Sequence, residues 1–156
     1  MSITIDLGNK KIKVDDSVLD LMISYRQINK LDCEAGGILI GRENKETGNI
    51  IIEYATEPYK RDKRTRTFFH RKDRKHLETF YKLYNQHNSI YAYIGEWHTH
   101  PEDYPNYSDI DIKNWNTISK QNEDKNKIYY HIIIGNKEIR IWEYKCSFNN
   151  KANRIY

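Results

Sequence analysis

The strongest constraint on the fold of this chain is the rhythm of its apolar residues. The period switches repeatedly between two and 3.6, and no uncharged apolar run approaches the ~20 residues that a membrane span needs. Alternating or β-branched stretches occur at ITIDLGNKKIKV, EAGGILIG, IIIEYATEP, IYAYIGEWHTH, IYYHIII and EIRIWEY. The first reads as two short strands around a Gly8-Asn9 turn. Helical spacing is carried by Val18, Leu21, Met22 and Tyr25 behind a cap at Asp15 or Asp16, and by Leu77, Phe80, Tyr81 and Tyr84 behind Asp73. A third helix is predicted after Ser108, with Trp115 and Ile118 on the face of Asp111. The order ββαββαβαββ predicts an α/β or α+β fold, a mixed β-sheet flanked by helices. The 156 residues, 38% of them apolar, suffice for one core, so a single domain over 1–156 is expected.

Charge and cysteine usage narrow the function classes. The formal net charge is +4, from 26 Lys and Arg against 22 Asp and Glu, which does not imply wholesale coating of nucleic acid. Only Cys33 and Cys146 are present, which excludes a disulfide framework and any CxxC zinc knuckle. With no signal-like N-terminus or membrane span, the expected location is the cytoplasm. One segment stands apart: residues 60–75 hold nine Lys or Arg against two Asp, so the rest of the chain nets −3. Interleaved aromatics there admit a nucleic-acid reading. The simpler expectation is a solvated loop leading into a helix, and an acidic protein surface or substrate tail is preferred to nucleic acid as its partner.

The chemistry concentrates in EWHTHPEDYPNYSDID. His98 and His100 sit two apart on a predicted strand, so both imidazoles point to one face and can share a metal. Ser108 and Asp111 follow at a spacing that puts Asp111 in the first turn of a helix, and the Pro101–Tyr107 loop can return that turn to the strand end. A Ser-x-x-Asp capping pair explains both residues without a metal. Yet Asp111 shares its face with Trp115, where an unpaired carboxylate is costly and a metal would be its partner. Two imidazoles and a carboxylate make a catalytic zinc set with a fourth position left for water. A base is then needed, and Glu34, Glu96 and Glu102 are equal candidates from the residues alone. Glu34 precedes Gly36 and Gly37, small residues that let a backbone or a substrate approach closely. His131 could act as a third imidazole in place of Asp111, although a buried core histidine is the simpler reading. Cys33 has no evident histidine partner and reads as a small buried thiol.

Glu34, His98-Thr99-His100-Pro101, Ser108 and Asp111 resemble the JAMM motif of the JAB/MPN metalloprotease domain, a distant Glu followed by HxHPx6SxxD. The resemblance spans roughly residues 17 to 144, and the GEWHTHPE wording is most similar to the prokaryotic JAB branch. It implies an MPN/cytidine-deaminase-like sandwich and one Zn2+ held by His98, His100 and Asp111. It further implies Glu34 as the base that deprotonates water, and Ser108 as the donor to the oxyanion. The implied reaction is hydrolysis of the amide or isopeptide bond after the C-terminal glycine of a ubiquitin-like protein, in deconjugation or precursor processing. The implied partners are that protein, its conjugates and homologues of ubiquitin-activating and ubiquitin-conjugating enzymes, within a bacterial conjugation or antiphage system. Gly36 and Gly37 are expected to line the path of a thin substrate tail, which would add to a strand edge left by GGILIG or IIIEY. A ligand-depleted scaffold is the alternative that the intact motif argues against.

Overall fold

Alternation of apolar residues puts β-strands where the chain must be half-buried, and strands buried on both faces lose that alternation. The computed structural model, which describes residues 2–156, shows both kinds. The strands are β1 (Ile3–Asp6), β2 (Lys11–Val14), β3 (Gly36–Glu43), β4 (Ile50–Ala55), β5 (Lys63–Thr65), β6 (Phe68–His70), β7 (Ala92–Thr99), β8 (Tyr129–Ile134), β9 (Ile139–Tyr144) and β10 (Asn153–Arg154). Three α-helices, α1 (Asp16–Ser24), α2 (Lys75–Gln86) and α3 (Asp109–Gln121), and a 3-10 turn at Cys146–Phe148 complete the chain. Eight strands form one mixed sheet in the order β1-β2-β4-β3-β7-β8-β9-β10, with parallel pairs at β2–β4 and β7–β8. Strands β5 and β6 form a separate antiparallel hairpin.

The helices divide between the two faces. Val18, Leu19 and Met22 of α1 join Leu39, Ile94, Trp97, Ile132 and Ile134 in the largest core cluster. On the opposite face, Phe80 and Leu83 of α2 pack on Ile38 and Ile40. Ile112 and Trp115 of α3 pack there on Ile133 and Trp142. The sandwich is thus helix, sheet, helix pair, as the α/β expectation required.

A bulge in β7 sets which residues face α3. Leu39 opposes Gly95 and Ile40 opposes Tyr93, leaving Ile94 as the extra residue. The added residue shifts the alternation by one, so Glu96 and His98 continue the face of Tyr93 while Trp97 turns to the α1 side.

Several elements depart from the sequence reading. Residues 63–70 form the β5–β6 hairpin rather than a loop, and Arg64, Arg66 and Arg71 tie it to the Glu34 carbonyl, the Asn29 carbonyl and the Glu96 carboxylate. In α1, Leu19 is fully buried while Leu21 is only half-buried, and Tyr25 is the C-cap. In α2 the buried face is rotated away from the expected stripe: His76 is buried, whereas Leu77, Tyr81 and Tyr84 are exposed. Among the described residues β4 lies between β2 and β3, and β3 between β4 and β7, so the edge expected along GGILIG or IIIEY is largely occupied. Among the described residues, no helix is long and apolar enough to cross a membrane.

Candidate metal centre

Strand pairing brings Glu34 to the histidines. Gly36 lies opposite His98 in the antiparallel β3–β7 pair, and the Thr99 N–H donates to the Ala35 carbonyl at 2.8 Å. The residue before Ala35 therefore reaches His100, whose Nε2 is 4.0 Å from Glu34 Oε1. The hairpin holds Glu34 from behind: its N–H donates to the Thr65 carbonyl at 2.8 Å, and Arg64 Nε donates to the Glu34 carbonyl at 2.6 Å.

Asp111 arrives from α3. The 101–107 loop is pinned to the β8–β9 turn, with the Asn136 N–H donating to the Glu102 carbonyl at 2.7 Å and Arg140 Nη1 to the Pro105 carbonyl at 3.0 Å. Ser108 caps the helix in a reciprocal box. Its hydroxyl accepts from the Asp111 N–H at 3.1 Å and its own N–H donates to Asp111 Oδ2 at 2.7 Å. Asp111 Oδ1 lies 3.2 Å from His98 Nε2, Oδ2 lies 3.3 Å from His100 Nε2, and the two Nε2 atoms are 3.0 Å apart. Donors bound tetrahedrally at ~2.0–2.1 Å stand about 3.3 Å from one another, so this triangle fits one small divalent ion.

The electrostatics suit that use. Burial would raise the Asp111 carboxyl, but the charge of His98 and hydrogen bonds from His100, His98 and the Ser108 N–H hold it well below the usual carboxylate range. Burial would lower His98, and Asp111 outweighs it to raise the imidazole. Glu34, only 5% exposed, is pushed up to about 7, chiefly by burial and against the pull of the two histidines.

The other candidates separate cleanly. Glu96 Oε1 accepts from Arg71 Nε at 2.7 Å and from the Tyr93 hydroxyl at 2.9 Å, so it is spoken for by a structural network. Glu102 meets the Nδ1 side of His100 at 3.5 Å, away from the donor triangle. His131 lies outside that triangle: its Nδ1 accepts from the Glu96 N–H at 3.2 Å and its ring stacks on Trp115 at 4.5 Å. Burial lowers its pKa to about 3, which makes it the neutral core histidine of the simpler reading. The space beside Gly36 and Gly37 is filled by this chain itself. A Cβ on Gly36 would stand 2.6 Å from Phe69 Cδ1, and one on Gly37 would run into the Thr56 carbonyl, so the close approach expected there is internal packing. Cys33 is half-buried, and its carbonyl accepts from Arg64.

The family model of prokaryotic homologs of the JAB domain matches residues 21–145. The chain belongs to that family. Curated relatives of this JAB domain are named CD-NTase/cGAS isopeptidase. The protein of Escherichia coli is 40% identical over 110 residues, covering 70% of this chain and 69% of its own. That of Pseudomonas aeruginosa is 35% identical over 125 residues, covering 80% and 77%. That of Vibrio cholerae is 30% identical over 121 residues, covering 78% and 74%. The solution structure of a Desulfitobacterium hafniense protein overlays with a TM-score of 0.60 at 17% identity, over 90% of this chain and 87% of that one, which shows a shared fold.

A groove borders the candidate site at His98 and Asp111. One wall is Phe69, His70 and Arg71, the other is the α3 face of Asn114, Thr117 and Gln121, and the floor carries Glu96 and Trp115. Sequence reasoning missed Arg71 and Tyr93. Their partner Glu96 is 25 residues from Arg71, and no motif spacing signals a contact made by folding a hairpin over a strand.

Proposed function

We propose that this chain, acting as one JAB/MPN domain over 1–156, is a zinc-dependent isopeptidase acting on protein conjugates. The carrying observation is the Nε2–Nε2–carboxylate triangle with the buried Glu34 carboxyl 4.0 Å from its edge. His98, His100 and Asp111 would hold Zn2+, which supplies Lewis-acid polarisation of the scissile carbonyl and acidification of the attacking water. Glu34, whose Oε1 lies 4.0 Å from His100 Nε2, would accept the water's proton and return it to the departing lysine amine. The Ser108 hydroxyl spends its acceptor side on the Asp111 N–H, which leaves its proton to donate to the oxyanion. A donor so placed can be worth about 3 kcal/mol.

On the acyl side the groove admits an extended tail. Among the described residues strand β6 pairs only with β5, and its Phe69 and His70 line the groove, so a tail can pair with its free edge. This edge takes the role expected of β3 or β4. The bond cut should follow a small residue, most plainly glycine, and Gly36 and Gly37 contribute by letting Phe69 and Thr56 close in beside the site. The name of the relatives supplies the substrate class: conjugates in which CD-NTase/cGAS is one member, with a ubiquitin-like protein as the other candidate for the acyl side. Homologues of ubiquitin-activating and ubiquitin-conjugating enzymes would make what this enzyme removes, in the cytoplasm of a bacterial antiphage system.

The test is hydrolysis of purified CD-NTase/cGAS conjugates and of ubiquitin-like conjugates, read by mass spectrometry at the new C-terminus. Cleavage should stop with a chelator, survive thiol alkylation and fall by several orders of magnitude in Glu34→Gln. Equal digestion of unrelated unfolded proteins would remove the isopeptidase assignment.

A further inference from the structure

Helix α2 carries an apolar stripe that the fold does not use. His76, Thr79, Phe80 and Leu83 face the body of the protein, while Leu77, Tyr81 and Tyr84 are 40%, 56% and 37% exposed along one line of the helix. Tyr81 and Tyr84 touch Phe80 with one edge and leave the rest of each ring open, so the row offers apolar contact area beside a polar surface.

The flank of this row is basic. Asp62 Oδ1 accepts from the Lys72 and Asp73 N–H groups at 2.8 Å each, and Oδ2 accepts from the Tyr59 N–H at 2.7 Å, so the two ends of the hairpin segment are tied together. His76 of α2 joins the same carboxylate at 2.7 Å and reaches Thr56 Oγ1 at 2.5 Å, which locks the knot to the helix and to β3. Lys60 and Arg61 therefore lie beside Lys72, Arg74 and Lys75 at the start of α2. All five side chains are exposed, and none makes an ion pair among the described residues. Arg64, Arg66 and Arg71 of the same segment are consumed by internal contacts. Eight of the nine basic residues thus divide into a structural set of three and an outward set of five, and Lys63, exposed on β5, stands apart from both.

We propose that Lys60, Arg61, Lys72, Arg74 and Lys75, with Leu77 and Tyr81, form a docking surface for an acidic face of the folded protein whose tail occupies the catalytic groove. This rests on the isopeptidase reading above. Arg71 lines the groove and Lys72 follows it in the chain, so the surface begins where the groove wall ends. A tail of three or four extended residues spans only about 10–14 Å, which leaves the folded body against the enzyme. Tyr, Leu and Arg side chains beside one another suit a protein interface with a charged rim. A long polyanion finds no wider basic footprint, since the rest of the chain outside residues 60–75 nets −3.

The experiment compares the folded conjugate with a short isopeptide-linked peptide that carries the same tail. The Lys72→Glu/Arg74→Glu variant and Tyr81→Ser should each raise KM for the folded conjugate about tenfold, leave kcat within about twofold and leave peptide cleavage and melting temperature unchanged. The KM effect of the charge variant should shrink with added salt. Affinity for the folded conjugate is measured separately in a Glu34→Gln background by calorimetry. If the parent protein cleaves neither substrate, the isopeptidase reading fails, and the calorimetric comparison still decides the surface. Equal affinities overturn the docking proposal. So does a loss of binding to a 20-nucleotide single-stranded DNA in these variants with an unchanged KM, which would mark a nucleic-acid surface.

Discussion

Asp111 uses one carboxylate for two purposes. Oδ2 closes the capping box with the Ser108 N–H, and both oxygens stand within 3.3 Å of an imidazole Nε2, so the group that caps the helix also completes the His-His-Asp donor triangle. Purified protein should hold close to one Zn2+ per chain. His98→Ala and Asp111→Ala should abolish that by atomic absorption while His131→Ala keeps it, and Asp111→Ala should cost about 1 kcal/mol more from the lost cap. Zinc lost only from His131→Ala would reverse the ligand assignment. Glu34 offers a test on the metal-free protein. Its carboxyl ordinarily titrates near 4.5 and here near 7, so the folded state keeps the proton longer than the unfolded state, and stability falls as pH rises from 4.5 to 7. Glu34→Gln cannot ionise. In the presence of a chelator it should exceed the parent by up to about 3 kcal/mol at pH 8 and match it at pH 4.5 in urea unfolding. A variant less stable than the parent at pH 8 would show that burial does not penalise this carboxylate.

At the scale of elements, the bulge at Ile94 decides the chemistry, because it puts His98 on the α3 side of the sheet. Gly95 makes the bulge fit: a Cβ there would fall within the Tyr130 carbonyl of β8. Gly95→Ala should therefore lower stability by more than about 3 kcal/mol and weaken metal binding together, measured by denaturant unfolding and chelator competition. Metal affinity unchanged at full occupancy would separate the bulge from the site. Strands and helices were legible as elements because periods of two and 3.6 survive in the chain, down to the Ser108 cap. The bulge was not, since one added residue leaves local composition untouched. The face of α2 was misread for a related reason: Leu77, Tyr81 and Tyr84 have the spacing of a buried stripe, but which side of a helix meets the sheet depends on where the Asp62–His76–Thr56 bonds hold it.

For the whole molecule, metal binding and folding should be linked, because the three candidate ligands come from β7, the turn after it and α3, and meet only in the folded state. Zinc at about a thousand times its Kd adds about 4 kcal/mol, which for a chain of this size raises the melting temperature by roughly 10 °C. Scanning calorimetry should show that rise in the parent and not in His98→Ala; an equal rise in both would place the ion elsewhere. The sequence by itself determined the three helices and seven of the ten strands in order, and the spacing of His98, His100, Ser108 and Asp111, while Glu34 was singled out by the motif resemblance. Apart from Glu34, these depend on local periodicity, capping chemistry and ligand type, which neighbouring residues carry with them. Tertiary structure placed Glu34 at the edge of the Nε2 triangle while Glu96 is held by Arg71 and Glu102 meets the Nδ1 side of His100, and it left β6 with an edge of its own. It also decided that the basic run splits into hydrogen-bonded internal ties and an outward patch. Each of these turns on strand register and on which donor a carboxylate or guanidinium meets across the fold, and such contacts form between residues tens of positions apart, where no spacing rule reaches.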